Sequence, residues 1–145
     1  MKRLVAVALV FGLLSVSPTL VPAADPTDYE SFVSLWEGAL IVGRRTNTTQ
    51  FGMLPVSVLV KTIDTDKKKA SVTYSQGNSG PFTAYSVDAE GKFLNEKTLE
   101  TRFLSNSNVS VTLTLTISQN KKELGAKYTA PGRWYMGTLK KVETK

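Results

Sequence analysis

From residue 36 onward, apolar and polar positions alternate with a period of two. The clearest stretch is 109–119, where Val109, Val111, Leu113, Leu115 and Ile117 interleave with Ser110, Thr112, Thr114, Thr116 and Ser118. Such alternation marks a strand with one face buried and the other in water. Thr suits the wet face because β-branching restricts χ1 in the sense that an extended backbone requires. Further strands are predicted over Trp36 to Arg45, Pro55 to Asp64, Ala70 to Gln76, Phe82 to Asp88, Lys92 to Leu94, Leu99 to Ser105, Leu124 to Ala130 and Arg133 to Val142. Turn-forming clusters separate them: Asp64 to Lys69, Gly77-Asn78-Ser79-Gly80-Pro81, Asp88-Ala89-Glu90-Gly91, Asn106-Ser107-Asn108, Asn120 to Glu123 and Pro131-Gly132. Ahead of the strands, Tyr29, Phe32, Val33 and Trp36 fall at helical spacing behind Thr27 or Asp28 as an N-cap, so Asp25 to Trp36 reads as one short helical or 3₁₀ segment. The pattern predicts an all-β fold of eight or nine antiparallel strands in up-and-down order, closed into a β-barrel because closure removes exposed edges. An open β-sandwich is the alternative.

The first residues follow a different rule. Lys2 and Arg3 precede an apolar run from Leu4 to Leu14 broken only by Gly12, and Val21-Pro22-Ala23 offers small residues for cleavage. An apolar run of about eleven residues falls short of the roughly 20 that span a bilayer. Residues 1–23 therefore read as a signal peptide and 24–145 as a single domain beginning at Ala24 or Asp25. The expected location is outside the cytoplasm, in a bacterial periplasm or the extracellular space, with no membrane span.

Charge and chemistry narrow the function. The net charge of +6 includes Lys2 and Arg3, and the rest of the excess is modest. Its visible clusters are Lys67-Lys68-Lys69, Lys121-Lys122 and Lys140-Lys141, at predicted turns and a strand end. Lys is an ordinary turn and edge residue, so Lys67, Lys68 and Lys69 imply at most a weak contact with an anionic surface. A nucleic-acid barrel would need aromatics interleaved with a basic groove, and none is expected here. With neither Cys nor His in the sequence, His-based triads, cysteine nucleophiles and the usual zinc sites are excluded. What remains is a carboxylate pair of the kind that hydrolyses glycosides. Glu37, on the first strand, is the only acid in an apolar setting. Asp64-x-Asp66 is followed by three lysines, which denies a calcium loop its later ligands. No cofactor or metal is expected. Asn47-Thr48-Thr49 and Asn108-Val109-Ser110 match a glycosylation sequon, which matters only in a eukaryotic secretory path.

Two short stretches, Trp36-Glu37-Gly38 after the helical lead-in and Val72-Thr73-Tyr74-Ser75-Gln76-Gly77 within the meander, resemble the small exported bacterial proteins of lipocalin-like, or calycin, type. The resemblance covers most of the mature chain in layout. It implies a barrel closed at one end by Trp36 as a structural plug, beneath a basic residue from near the last strand, with Arg133, Lys140 and Lys141 as candidates. Ser34 stands where such proteins carry the Gly of Gly-x-Trp, so only the Trp carries over.

The aromatics Tyr74, Tyr85, Phe103, Tyr128 and Trp134 fall on predicted strands, where in a small barrel they either fill the lumen or line a cavity. The favoured function is a non-enzymatic exported barrel that holds a small apolar or amphipathic ligand against Val58, Val60, Tyr74, Tyr85, Phe103, Val111, Leu113, Leu115 and Tyr128. The alternatives are a structural or interaction module of the cell envelope with a filled core, and an enzyme acting on sugars or lipids through Glu37.

Overall fold

A computed structural model of the chain describes residues 29–43, 52–78 and 83–143. The expected signal peptide 1–23, the capping candidates Thr27 and Asp28, the Asn47 sequon and the Ser79-Gly80-Pro81 turn lie outside the described residues. A single 3₁₀ turn, Glu30–Phe32, precedes eight strands: β1 Ser34–Gly43, β2 Met53–Asp64, β3 Lys69–Gln76, β4 Tyr85–Asn95, β5 Thr98–Leu104, β6 Ser110–Ile117, β7 Glu123–Ala130 and β8 Arg133–Lys141. Each strand pairs antiparallel with the next, and β8 returns to pair with β1, giving a closed up-and-down barrel. An open sandwich is thereby ruled out, since β1 has hydrogen-bonded neighbours on both sides.

Two details differ from the sequence expectation. The helical lead-in stops short of Trp36: the 3₁₀ turn ends at Phe32, Val33 is already extended and β1 begins at Ser34, so that Trp36 lies on the first strand, where the alternation also put it. The cluster Asp88-Ala89-Glu90-Gly91 is not a turn but the middle of one long strand, so the count is eight and not nine. Its alternation has a simple cause. Asp88 and Glu90 face outward, where they pair with Lys61 and Lys69 at 2.9 and 2.7 Å, while Ala89, Gly91 and Phe93 face inward. Gly91 is needed for packing and not for a turn, because a Cβ there would meet the Leu99 side chain at 2.8 Å.

Inward positions are apolar apart from the buried Gln76 and Thr101, and outward positions are mostly polar. This is the reverse of a membrane-spanning barrel, whose outer band is apolar and whose interior is polar. Among the described residues no helix is long and apolar enough to cross a membrane. The connections Thr65–Lys68, Glu96–Lys97 and 118–122 close one end of the barrel, where Phe32 and Trp36 are fully buried and Phe32 packs edge-on to Phe93 at 5.2 Å between centroids. β1 and β8 press together midway along their length: a Cβ on Gly137 would collide with the Ala39 carbonyl oxygen, and Gly38 faces the backbone of Thr138. The closest approach of the first and last strands thus falls at two glycines, Gly38 and Gly137.

Candidate functional site

The lumen has two parts. The lower part is solid: Val58, Val60, Leu113 and Leu115 are fully buried among Val72, Leu99, Leu124 and Leu139. Strand alternation aims these side chains at the axis, and eight strands leave an interior just wide enough for them to fill. Above them lies an aromatic layer. Tyr74 stacks on Phe103 at 5.0 Å and contacts Tyr85 at 5.8 Å and Tyr128 at 5.9 Å, while Tyr128 meets Tyr135 edge-on at 5.2 Å. Such tilted and offset pairs follow the quadrupoles of the rings. Val111 is buried beside this layer at the start of β6.

On top of the layer a cup of about 500 Å³ opens to solvent, walled by Leu54, Gln76, Tyr85, Tyr128, Arg133 and Tyr135, with Thr83, Ala130, Pro131 and the 105–109 connection completing the rim. Of the nine ligand-lining candidates read from the sequence, Tyr85 and Tyr128 wall the cup. Tyr74, Phe103 and Val111 sit beneath or beside it, and Val58, Val60, Leu113 and Leu115 belong to the packed interior. Sequence reasoning missed Leu54, Gln76, Arg133 and Tyr135. Parity was the available signal for Tyr135, which is in phase with buried Leu139. Trp134, one position away, points outward and is 42% exposed, so it is not a luminal aromatic.

The polar groups of the cup are unevenly satisfied. The Tyr74 hydroxyl donates to Gln76 Oε1 at 3.1 Å, and Gln76 Nε2 donates to the Thr83 carbonyl at 2.8 Å, so this buried amide is held at both ends. Among the described residues the Tyr85 hydroxyl oxygen is buried without a hydrogen-bond partner. The Tyr128 phenol is near enough to influence it, but no bond of normal geometry joins the two. Burial pushes the phenols of Tyr74, Tyr85 and Tyr128 above their ordinary range, reinforced at Tyr74 by its phenol neighbours and at Tyr85 by the Tyr128 phenol; at Tyr128 the facing Tyr85 hydroxyl and, less strongly, the Arg133 charge partly offset the shift. All three are therefore neutral hydroxyls at physiological pH, able to donate.

The remaining candidates lie elsewhere. Trp36 donates its indole N–H to the Phe32 carbonyl at 2.8 Å, and the Lys141 ammonium stands 5.8 Å from its ring centroid. Of the three cations considered for that place, Lys141 occupies it. Arg133 is at the opposite end on the cup, and Lys140 faces outward in register with Glu37 and Glu123. Glu37 is exposed on the outer wall and does not reach the lumen. Lys67 and Lys69 are paired with Asp64 at 3.0 Å and Glu90 at 2.7 Å beside the closed-end turn, where Lys68 takes a positive φ of 54°.

The fold and site define a closed eight-stranded antiparallel barrel with a packed base and a shallow aromatic cup at the open end. No model of a known protein family matches the chain, and no curated protein matches it.

Proposed function

We propose that this is an exported, non-enzymatic barrel of lipocalin-like type that binds a small amphipathic molecule in the cup at its open end. The observation that carries the reading is the buried Tyr85 hydroxyl, which has no hydrogen bond of normal geometry among the described residues at the wall of an aromatic pocket. A buried polar group left unpaired costs about 1–3 kcal/mol, and a ligand that accepts its hydrogen bond recovers that loss. The chemistry of the wall describes the ligand: a flat or apolar body for the rings of Tyr85, Tyr128 and Tyr135, and an oxygen or nitrogen acceptor for the Tyr85 hydroxyl. Because the base of the barrel is packed, the ligand sits at the mouth instead of running down the axis. A binding role is favoured over catalysis by the make-up of the wall, which among the described residues offers phenols, an amide and a guanidinium but no carboxylate, and by the outward position of Glu37. Export rests on Lys2, Arg3 and the apolar run that follows them.

The test is a titration of the purified mature protein with an environment-sensitive fatty-acid analogue and a panel of phenolic and isoprenoid ligands, repeated with Ala130→Trp. Ala130 is half-buried on the cup wall, so the new indole fills the cup without entering the packed base. Saturable one-to-one binding by the wild type that is lost in a folded Ala130→Trp variant is the expected result. Failure of every ligand to bind, or binding that Ala130→Trp leaves intact, refutes the cup as a ligand site.

A further inference from the structure

The open end differs from the rest of the barrel in its outer surface as well as its cup. On the outer wall Ile41 pairs in register with Met53 of β2 on one side and Met136 of β8 on the other, and Trp134 follows two residues along β8. These four side chains are 42 to 60% exposed and form one apolar patch across three strands. Across the mouth, Leu104 and Val109 at the β5–β6 connection are exposed too. A soluble surface carries single exposed apolar residues as a matter of course, but a grouped set marks an interaction site.

Charge is segregated in the same direction. The described strand ends and connections at the mouth, 40–43, 52–56, 75–78, 83–87, 103–111 and 127–135, contain no Asp or Glu, but they contain Lys127 and Arg133. Lys127 borders the patch, in register with Met136 and sharing a surface groove with Trp134. The nearest acid along β4, Asp88, is held by Thr73 and Lys61. Glu37 is an exception to the segregation: it is exposed on the outer face of β1, sharing a surface groove with Pro55, Gln76 and Gly77 and in register with Lys140.

We propose that the open rim docks on an anionic bilayer surface, with Trp134, Met136, Ile41 and Met53 entering the headgroup boundary and Lys127 and Arg133 meeting lipid phosphates. Apolar side chains emerge on opposite sides of the mouth, an arrangement that fits a planar partner. Trp favours the interface because its ring is apolar and its N–H polar, and basic groups without acids beside them suit anionic headgroups. The polar outer wall below keeps the barrel on the surface instead of across it. Docking places the cup against the bilayer but does not depend on its having a ligand.

The experiment uses the purified mature protein with vesicles of phosphatidylcholine alone and of phosphatidylcholine with phosphatidylglycerol. The chain has two Trp, and Trp36 is buried, so a blue shift in emission reports on Trp134. The expected results are co-sedimentation with the anionic vesicles only, a blue shift that persists in Trp36→Phe, and quenching by brominated lipid. Raising the salt concentration should weaken binding. Lys127→Gln should lower the partition coefficient about fivefold, the effect of one basic group near such a surface, and the paired change Trp134→Ser with Met136→Ser should abolish it. Both variants alter exposed side chains, and circular dichroism checks their fold. Lys67→Gln with Lys68→Gln, at the closed end, should bind as the wild type does. The proposal is overturned if anionic vesicles fail to bind at low salt, if the closed-end variant loses binding, or if a blue shift grows with protein concentration without lipid, which would make a second copy the occupant of the patch.

Discussion

Tyr85→Phe should make the unliganded protein more stable. The substitution keeps the ring, with its 5.8 Å contact to Tyr74, and deletes one oxygen that is buried without a partner of normal geometry among the described residues. An unsatisfied buried hydroxyl costs about 1–3 kcal/mol; allowing for the half-exposed position of the residue, the lower bound applies, and a gain of about 1 kcal/mol is expected. For a domain of this size that raises Tm by about 4 °C. Tyr74→Phe provides the opposite sign, because its hydroxyl donates to Gln76 Oε1. Removing it should cost about 1 kcal/mol, with a further penalty for the amide oxygen left unpaired. Thermal and urea denaturation of both variants give the two numbers, and m-values unchanged from wild type certify that only stability has moved. If Tyr85→Phe loses 1 kcal/mol or more, its hydroxyl is bonded within the protein and the reasoning that makes it a ligand contact fails. The same variant, if the cup binds its ligand through this group, should weaken binding about tenfold while melting higher.

Four other outcomes are expected. Trp36→Ala should destabilise by about 3–5 kcal/mol, and an unmoved melting temperature would place the ring outside the core. Leu113→Trp should overfill the packed base at a cost of about 1–3 kcal/mol or more; a variant as stable as wild type would reveal free space there. Gly137→Ala should be poorly folded, since a Cβ cannot coexist with the Ala39 carbonyl across the β1–β8 seam; normal expression and melting would show that the seam can relax. The raised phenols of Tyr74, Tyr85 and Tyr128 mean that the unfolded chain ionises first, so their contribution is intact below about pH 10 and is lost as pH rises above it. Tyrosinate absorbance should then rise together with loss of the far-ultraviolet β signal, and full ionisation within an intact barrel would contradict the assignment.

Local pattern carried the fold well wherever one face was dry and the other wet. The alternation over 109–119 matches β6, and the turns at 65–68, 106–108 and 131–132 fall where Asp, Asn, Pro and Gly stand. Pattern failed where a turn-like composition served another purpose. Asp88 and Glu90 are cross-strand ion-pair partners of Lys61 and Lys69, and Gly91 gives room to Leu99, none of which is visible without knowing that β2, β3 and β5 lie alongside. The site was legible in part for the same reason. Aromatic type on a predicted strand pointed to Tyr85 and Tyr128, but whether such a residue faces inward, and then touches solvent or a packed neighbour, depends on strand parity and on its height in the barrel, which is set by the stagger of all eight strands. Val58 and Tyr85 are alike in parity and differ in height. Gln76 was hidden by type, since a polar residue at a strand end reads as a loop flank until its two hydrogen bonds are seen.

The seam between β1 and β8 also governs how the chain reaches its native state. Seven of the eight pairings join strands adjacent in sequence and form as local hairpins. The eighth brings Gly38 to Leu139, closing a loop of about 100 residues whose entropy must be lost before the contact gains anything. Until the last strand arrives, β1 and β7 each present a bare edge. The slow step in folding should therefore be closure, on a scale of about milliseconds to seconds as in other non-local β topologies, and it depends on the two glycines that let the strands meet. A chain stalled before that step is a curled sheet with two open edges, the species most prone to pair with a neighbour.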